Sequence, residues 1–392
     1  MKQALRLGQW LVGGALVGAL CGTVSALFLF LLELATETRE AHEQLVFALP
    51  LAGLVLGFIY ERFGQPIKAD TNLIIDTIHD GGPEIPVRTT PMVLAGTVLT
   101  HLFGGSAGRE GTAVQMGASL TDWVSHRLKL SSELRRQLLA AGVAGGFGSV
   151  FGTPIAGTIF GLELVVLGGV EYDALVPALV AAIIGDLTTR ALGIAHAIYP
   201  TVSAVQLDLL LIGKWAVFAA AVALTTIAFI EVTHLLKARG SRLRLPLRMA
   251  LGGVVVIAMW KLVRTSDYLG LGVPMILRAF HDVDYPTAAF AVKLVFTAVT
   301  LGAGFLGGEV TPLFFVGAAL GNTLAHVLRL PLDLAAGVGL AAVFAAAAKT
   351  PLALSIMAVE LLGTDVFPHV MIVCVLACLM TGRRSIYPSR LR

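Results

Sequence analysis

The sequence predicts an all-α polytopic membrane protein whose chain is organised in two matching halves. Of 392 residues, 56% are hydrophobic and 14% charged, against about 25% charged in ordinary soluble domains. Long apolar runs recur along the chain with 43 glycines spread through them, a composition suited to close packing of membrane helices. Two motifs of the first half also return 199 and 197 residues later, in the same order.

Lys2 and Arg6 precede the apolar run of residues 10–32. That run exceeds a signal-peptide core of about 7–15 residues, so it is expected to remain as a membrane helix. Residues 33–43 carry more acid than base, then residues 45–60 span again and end at Glu61, Arg62 and Lys68. By the positive-inside rule the N-terminus is cytoplasmic, and so are the basic stretches 126–136 and 237–248 and the tail bearing Arg383, Arg384, Arg390 and Arg392. The halves are expected over residues 8–190 and 207–392 of a single transmembrane domain. With no soluble domain expected after Arg392, nucleotide regulation within this chain is set aside.

Residues 73–78, 113–120, 155–166 and 313–320 form apolar segments bounded by Gly, Pro or charge. Each is short for a bilayer core of ~30 Å, which takes about 20 helical residues. They read as broken or re-entrant helices whose tips converge on a cavity, because interrupted backbone at membrane depth is tolerated only within protein or beside a cavity.

The net charge of +3 is too small and scattered for a nucleic-acid partner. Cys21, Cys374 and Cys378 lie in apolar segments and do not suggest a disulfide framework. The nine histidines are dispersed without metal-ligand spacing, and His101 reads as a satisfied packing residue. No phosphate-binding Gly-rich loop with Lys-Ser/Thr is present, so neither ATP nor any cofactor is indicated, and a proton gradient is the natural energy source.

Chemistry concentrates in Gly104-Gly105-Ser106-Ala107-Gly108-Arg109-Glu110-Gly111-Thr112, which opens an apolar helix. The free N–H groups of a helix's first turn present roughly half a positive charge, an anion site. Glu110 sits where an ionised carboxylate fills that site and a protonated one vacates it. This points to a proton-coupled anion pathway gated by Glu110. The stretch Gly108-Arg109-Glu110-Gly111-Thr112 returns as Gly307-Gly308-Glu309-Val310-Thr311, followed by Gly317-Ala318 as the first is by Gly117-Ala118. Likewise Thr153-Pro154 through Glu163-Leu164 returns as Thr350-Pro351 through Glu360-Leu361, identical at six of twelve positions. Paired segments of this kind mark a transporter's binding site.

The order Gly-Arg-Glu-Gly, then Thr-Pro-Ile-Ala-Gly with an acid near its helix end, then Gly-Gly-x-x-x-Pro, then the C-terminal Tyr387 resembles the CLC family of chloride channels and anion/proton antiporters. The resemblance covers residues 11–387 and implies two inverted-topology repeats of tilted and broken helices. It also implies a homodimer with one pathway per subunit, in a bacterial inner membrane. Three departures resemble the fluoride/proton antiporter branch. Thr112 stands where a proline is usual, Gly308-Glu309-Val310-Thr311-Pro312 replaces Gly-x-Phe-x-Pro, and Asp70-Thr71-Asn72-Leu73-Ile74 replaces the chloride-holding Gly-Ser-Gly-Ile-Pro.

Carried over by the resemblance, Glu110 matches the gating glutamate and Tyr387 the anion-contacting tyrosine. Glu309 and Thr311 match a Glu and Thr that mark the fluoride branch and take part in coupled proton and anion movement. Thr71 and Asn72 fall where the serine is missing, with either able to face the ion. Chloride antiporters end the corresponding Pro-Leu-Ala-Gly stretch with two consecutive acids, the second relaying protons from the cytoplasm. Here those positions are Glu163 and Leu164, so the inner proton route is expected to differ. Fluoride is small and strongly hydrated, so several donors are needed to offset its dehydration. Backbone N–H at Gly111 and Val310, with Thr71, Asn72, Thr311, Tyr387 and protonated Glu110, would supply them.

Plainer accounts stand beside these. Glu110 would be favoured by capping alone, and Glu309 would suit a buried pair with a basic group. Thr112 and Thr311 would suit hydroxyls bonded to their own helix backbone, and Tyr387, among Arg383, Arg384 and Arg390, an interfacial anchor. Arg109 reads as a counter-charge to Glu110, and Glu163 and Glu360 as helix-end charges. A rival class is an intramembrane serine hydrolase, since residues 104–108 fit Gly-x-Ser-x-Gly around Ser106. Ser106 lacks the preceding strand, and His101 lacks an orienting acid. The nearer rival is a chloride channel or chloride/proton exchanger of the same fold.

Overall fold

The computed structural model describes residues 2–65, 67, 71–80, 84–164 and 170–391. Lys68, Asp70, residues 165–166 and Arg392, used in the sequence reading, lie outside these, as does the side chain of Arg390. The described residues form sixteen α-helices joined by short 3-10 turns and loops. The first eight are α1 Lys2–Ala41, α2 Leu49–Phe63, α3 Thr71–Asp80, α4 Thr89–Leu102, α5 Glu110–Arg127, α6 Ser132–Phe151, α7 Pro154–Glu163 and α8 Leu175–Ala191. The second eight are α9 Leu209–Gly240, α10 Leu245–Val263, α11 Val273–Arg278, α12 Ala289–Ala303, α13 Val310–Leu328, α14 Leu332–Ala348, α15 Pro351–Leu362 and α16 Phe367–Met380. The architecture is the expected all-α membrane fold, and among the described residues six helical stretches are long and apolar enough to cross a bilayer.

Two of the four segments read as short helices are not short. Residues 113–120 and 313–320 are the interiors of α5 and α13, of 18 and 19 residues. Both helices run on through polar residues such as Thr121, Asp122 and Asn322, which are buried against protein rather than lipid. An apolar run therefore underestimates a helix surrounded by other helices. The other two, α3 and α7, have 10 residues each.

Glycine stripes set the helix spacing. Gly14, Gly18 and Gly22 of α1 lie on α8, where a Cβ at Gly18 would come within 2.6 Å of Ala181 O and one at Gly22 within 2.4 Å of Gly185 O. A matching pair of approaches joins the repeats' inner helices: a Cβ at Gly117 of α5 would meet Gly142 O of α6 at 2.3 Å, and one at Gly317 of α13 would meet Gly339 O of α14 at 2.0 Å. With lipid outside as apolar as leucine, such close backbone packing holds membrane helices together. The segment between α8 and α9 is fastened to the second half: Val202 N–H donates to Leu362 O at 3.1 Å, and His369 Nε2 lies 3.0 Å from Val205 O while its Nδ1 accepts from Trp215 Nε1 at 3.0 Å.

Candidate functional site

A backbone clasp between the halves builds the site. The loops before α5 and α13 run antiparallel: Gly108 N–H donates to Gly308 O at 2.6 Å, and Gly308 N–H donates to Gly108 O at 2.8 Å. Glycine is required here. At Gly307, φ is +144° and a Cβ would fall 2.4 Å from the Ala107 Cβ. The clasp brings the N-termini of α5 and α13 together in the interior.

Glu110, the first residue of α5, is fully buried. Its carboxylate crosses to the other half. Oε2 accepts from Arg109 N–H at 3.1 Å and from Thr311 N–H at 3.2 Å, while Oε1 accepts from the Thr311 hydroxyl. Arg109 Nε lies 3.5 Å from Oε1. A negative group thus occupies the N-terminus of α13, where free N–H groups and the helix dipole favour it.

Around this carboxylate, Thr71, Gly111, Val310 and Tyr387 join Val114, Phe147 and Phe160 in lining a narrow space, nowhere wide enough for a water molecule. Tyr387 is only 3% exposed, so it faces protein and not an interface. Asn72 does not join this group. Its Oδ1 accepts from Ser389 N–H at 3.0 Å, tying down the C-terminal segment, and its side chain faces a wider cavity.

That wider cavity, about 500 Å³, is also where Glu309 emerges. Glu309 is the N-cap of α13, and its wall neighbours include Thr97, Thr112, Gln115, Arg248 and Tyr387, with the exposed Lys237 also lining the cavity. Glu309 also approaches α5, since a Cβ on Gly111 would lie 3.9 Å from its Oε2. The Thr112 hydroxyl meets the Thr97 hydroxyl at 2.7 Å, a bond between α4 and α5. A third cavity of about 680 Å³ reaches Arg109 from the opposite end, between the end of α1, residues 194–197 and the loop before α11.

Glu163 and Glu360 form a reciprocal pair of caps. Glu163 accepts from Leu352 N–H at 3.2 Å and Ala353 N–H at 2.8 Å at the start of α15, while Glu360 accepts from Ile155 N–H at 3.0 Å and Ala156 N–H at 2.7 Å at the start of α7. Each acid near a helix end satisfies orphan donors of its repeat partner. Leu164 beside Glu163 is fully buried. The hydrolase arrangement is missing at Ser106: its hydroxyl meets Thr297 Oγ1 at 2.9 Å, and the His101 ring nitrogens lie 2.8 Å from Thr97 O and 2.9 Å from Ala107 O.

Thr97, Gln115, Arg248 and Tyr199 were not singled out from sequence. The first three carry no local motif. Tyr199 does carry a signal, because Ile198-Tyr199-Pro200 repeats as Ile386-Tyr387-Pro388.

Helix N-termini converging on a buried carboxylate between water-accessible cavities, in a chain of bilayer-length helices, define an integral membrane transporter rather than an enzyme. The chain belongs to the CLC family. The profile described as voltage gated chloride channel matches residues 52–382. The chain is 46% identical to the chloride/fluoride channel protein of Pseudomonas syringae pv. tomato over 98% of this chain and 86% of that one. It is 25% identical to the H(+)/Cl(-) exchange transporter ClcA of Vibrio vulnificus over 88% of this chain and 80% of that one. A crystal structure of a CLC-type fluoride/proton antiporter superposes with a TM-score of 0.94 at 33% identity, covering 98% of both chains. A slow cyanobacterial Cl-/H+ antiporter shares the fold, with a TM-score of 0.86 at 19% identity over 98% of this chain and 97% of that one.

Proposed function

We propose that this protein is an antiporter that exports fluoride from the cytoplasm in exchange for protons. The observation that carries the reading is the Glu110 carboxylate held by the Thr311 hydroxyl and N–H at the start of α13. Protonation removes the charge that this N-terminus favours, so the carboxyl releases Thr311 and a fluoride ion takes its donors. Deprotonation returns the carboxylate and expels the ion. Carboxylate and fluoride therefore exclude one another from a single set of donors, which couples anion entry to protonation of Glu110.

Thr71, Tyr387 and the N–H groups of Gly111 and Val310 would complete the fluoride shell, and protonated Glu110 would add a donor. Asn72 acts instead through the C-terminal segment that carries Tyr387. Gly108 supports the site through the clasp, Arg109 as counter-charge and Thr112 through Thr97. Glu309, lining the 500 Å³ cavity, is the acid through which protons and anions communicate with that end, in place of the second acid replaced by Leu164. The basic Lys237 and Arg248 at this end support a cytoplasmic orientation, with both termini on that side. The halves are 8–190 and 207–392, and the working unit is a homodimer in a bacterial inner membrane with one pathway per subunit. Fluoride as substrate is supported by the Glu309, Thr311 and Asn72 departures and by the likeness to the fluoride/proton antiporter.

The test is purified protein in liposomes loaded with fluoride or, separately, chloride, with external halide and pH read together. Fluoride efflux with uncoupler-sensitive proton uptake is the expected result. Chloride flux of equal or greater size would instead assign the chain to chloride exchange.

A further inference from the structure

The segment joining α8 to α9 carries a second copy of the motif that ends the chain. Ile198-Tyr199-Pro200 follows α8 as Ile386-Tyr387-Pro388 follows α16. In both, a left-handed glycine follows the helix, Gly193 at φ +84° and Gly382 at φ +58°, with the tyrosine six and five residues later. Both tyrosines turn inward. Ile198 is 89% exposed, while Tyr199 beside it is 7% exposed.

The two belong to segments at opposite ends of the site. Tyr387 lines both the narrow space around Glu110 and the 500 Å³ cavity. Residues 194–197, just before Tyr199, wall the 680 Å³ cavity that reaches Arg109. The Tyr199 phenol is in electrostatic reach of Arg109 and Glu110. Burial pushes this phenol up to about 12, with Arg109 opposing the rise and Glu110 adding to it, so its hydroxyl remains a protonated donor at physiological pH. The segment is anchored on both sides of the tyrosine. Ile194 N–H donates to Thr189 O at 3.3 Å, His196 Nε2 lies 3.2 Å from Asp186 Oδ1, and the Ser203 hydroxyl donates to Asp333 at 2.6 Å.

We propose that Tyr199 is the counterpart of Tyr387 at the Arg109 end: its hydroxyl donates to the Glu110 carboxylate, or to the halide that replaces it, when either moves from the start of α13 toward the 680 Å³ cavity. This rests on the reading of Glu110 as the mobile acid. An anion leaving the N–H groups of α13 meets a steep desolvation cost unless new donors receive it at each end. Tyr387 supplies one and Tyr199 the other, with Arg109 adding positive charge on the Tyr199 side.

The test compares Tyr199→Phe and Tyr387→Phe in right-side-out and inside-out membrane vesicles, which present opposite ends of the full-length protein to added fluoride. Initial proton movement is followed against fluoride concentration. Tyr199→Phe is expected to raise half-saturating fluoride by about threefold or more in one vesicle orientation only, and Tyr387→Phe in the other, as loss of a hydrogen bond to an anion predicts. An unchanged half-saturation in both orientations, or equal changes in both from altered packing, would overturn the Tyr199 assignment. Wild-type vesicles that move no protons with fluoride would instead overturn the fluoride/proton reading. The same comparison would then be made with chloride, since a donor at this position serves either halide.

Discussion

The starts of α5 and α13 descend from one repeated motif, yet their acids do different things. Glu110 lies inside the first turn of α5 and reaches across to Thr311 of the other half, whereas Glu309 caps α13 and faces the 500 Å³ cavity. Their threonines differ too. Thr311 donates to a carboxylate, while Thr112 pairs with Thr97. Two copies of one sequence pattern thus produce a fully enclosed carboxylate on one side and an acid lining a cavity on the other. The asymmetry arises from what each helix start meets: for Glu110 the open N-terminus of α13, for Glu309 a cavity lined by Arg248, Gln115 and Thr97.

The sharpest way to break this comparison is Glu110→Gln. Fluoride-driven proton uptake in liposomes is expected to fall on the order of 100-fold or more, as for loss of a proton-transferring side chain, and a variant that still moves protons against their gradient would remove Glu110 from the gate. Thr311→Val should slow coupled exchange about tenfold, because the same hydroxyl serves whichever negative group is bound and such a bond contributes on the order of 1–3 kcal/mol. Thr112→Val, whose hydroxyl meets Thr97 rather than the Glu110 carboxylate in the described contacts, should change exchange about twofold or less, its lost hydrogen bond of about 1 kcal/mol registering in stability instead. Equal losses from the two threonine variants would erase the distinction between the helix starts. Glu309→Gln is expected to reduce the proton-to-halide ratio while leaving halide binding in place, read by isothermal titration alongside flux; wild-type coupling would make Glu309 a structural charge.

The reciprocal caps set the lower limit of the series. Glu360→Gln and Glu163→Gln each weaken two N–H bonds at a helix start and should cost about 1 kcal/mol of stability. Thermal unfolding in detergent would register this while transport continues. Loss of proton coupling in Glu163→Gln at normal stability would instead give that acid a transport role.

Much of the fold was legible. Repeated motifs, glycine-rich apolar runs and basic loops depend on local composition, and they indicated a helical membrane protein in two halves. Helix length was not legible for α5 and α13, because the rule that apolar stretches delimit helices assumes a lipid surround, and these two helices are enclosed by protein. Thr71 and Asn72 could not be separated from sequence because they are neighbours on α3. Only packing sends one toward Glu110 and the other to Ser389.

By itself the sequence determined where charge and small residues fall along the chain, and hence that α5 and α13 begin with glycine, an acid and free N–H groups. The tertiary structure alone decided which acid meets which helix. Gly108 and Gly308, Glu110 and Thr311, and Glu163 and Ala353 are separated by 200, 201 and 190 residues. No local pattern encodes such pairs. They form because two interlocked halves bring helix starts close enough for one half's carboxylates to satisfy the other half's unpaired N–H groups.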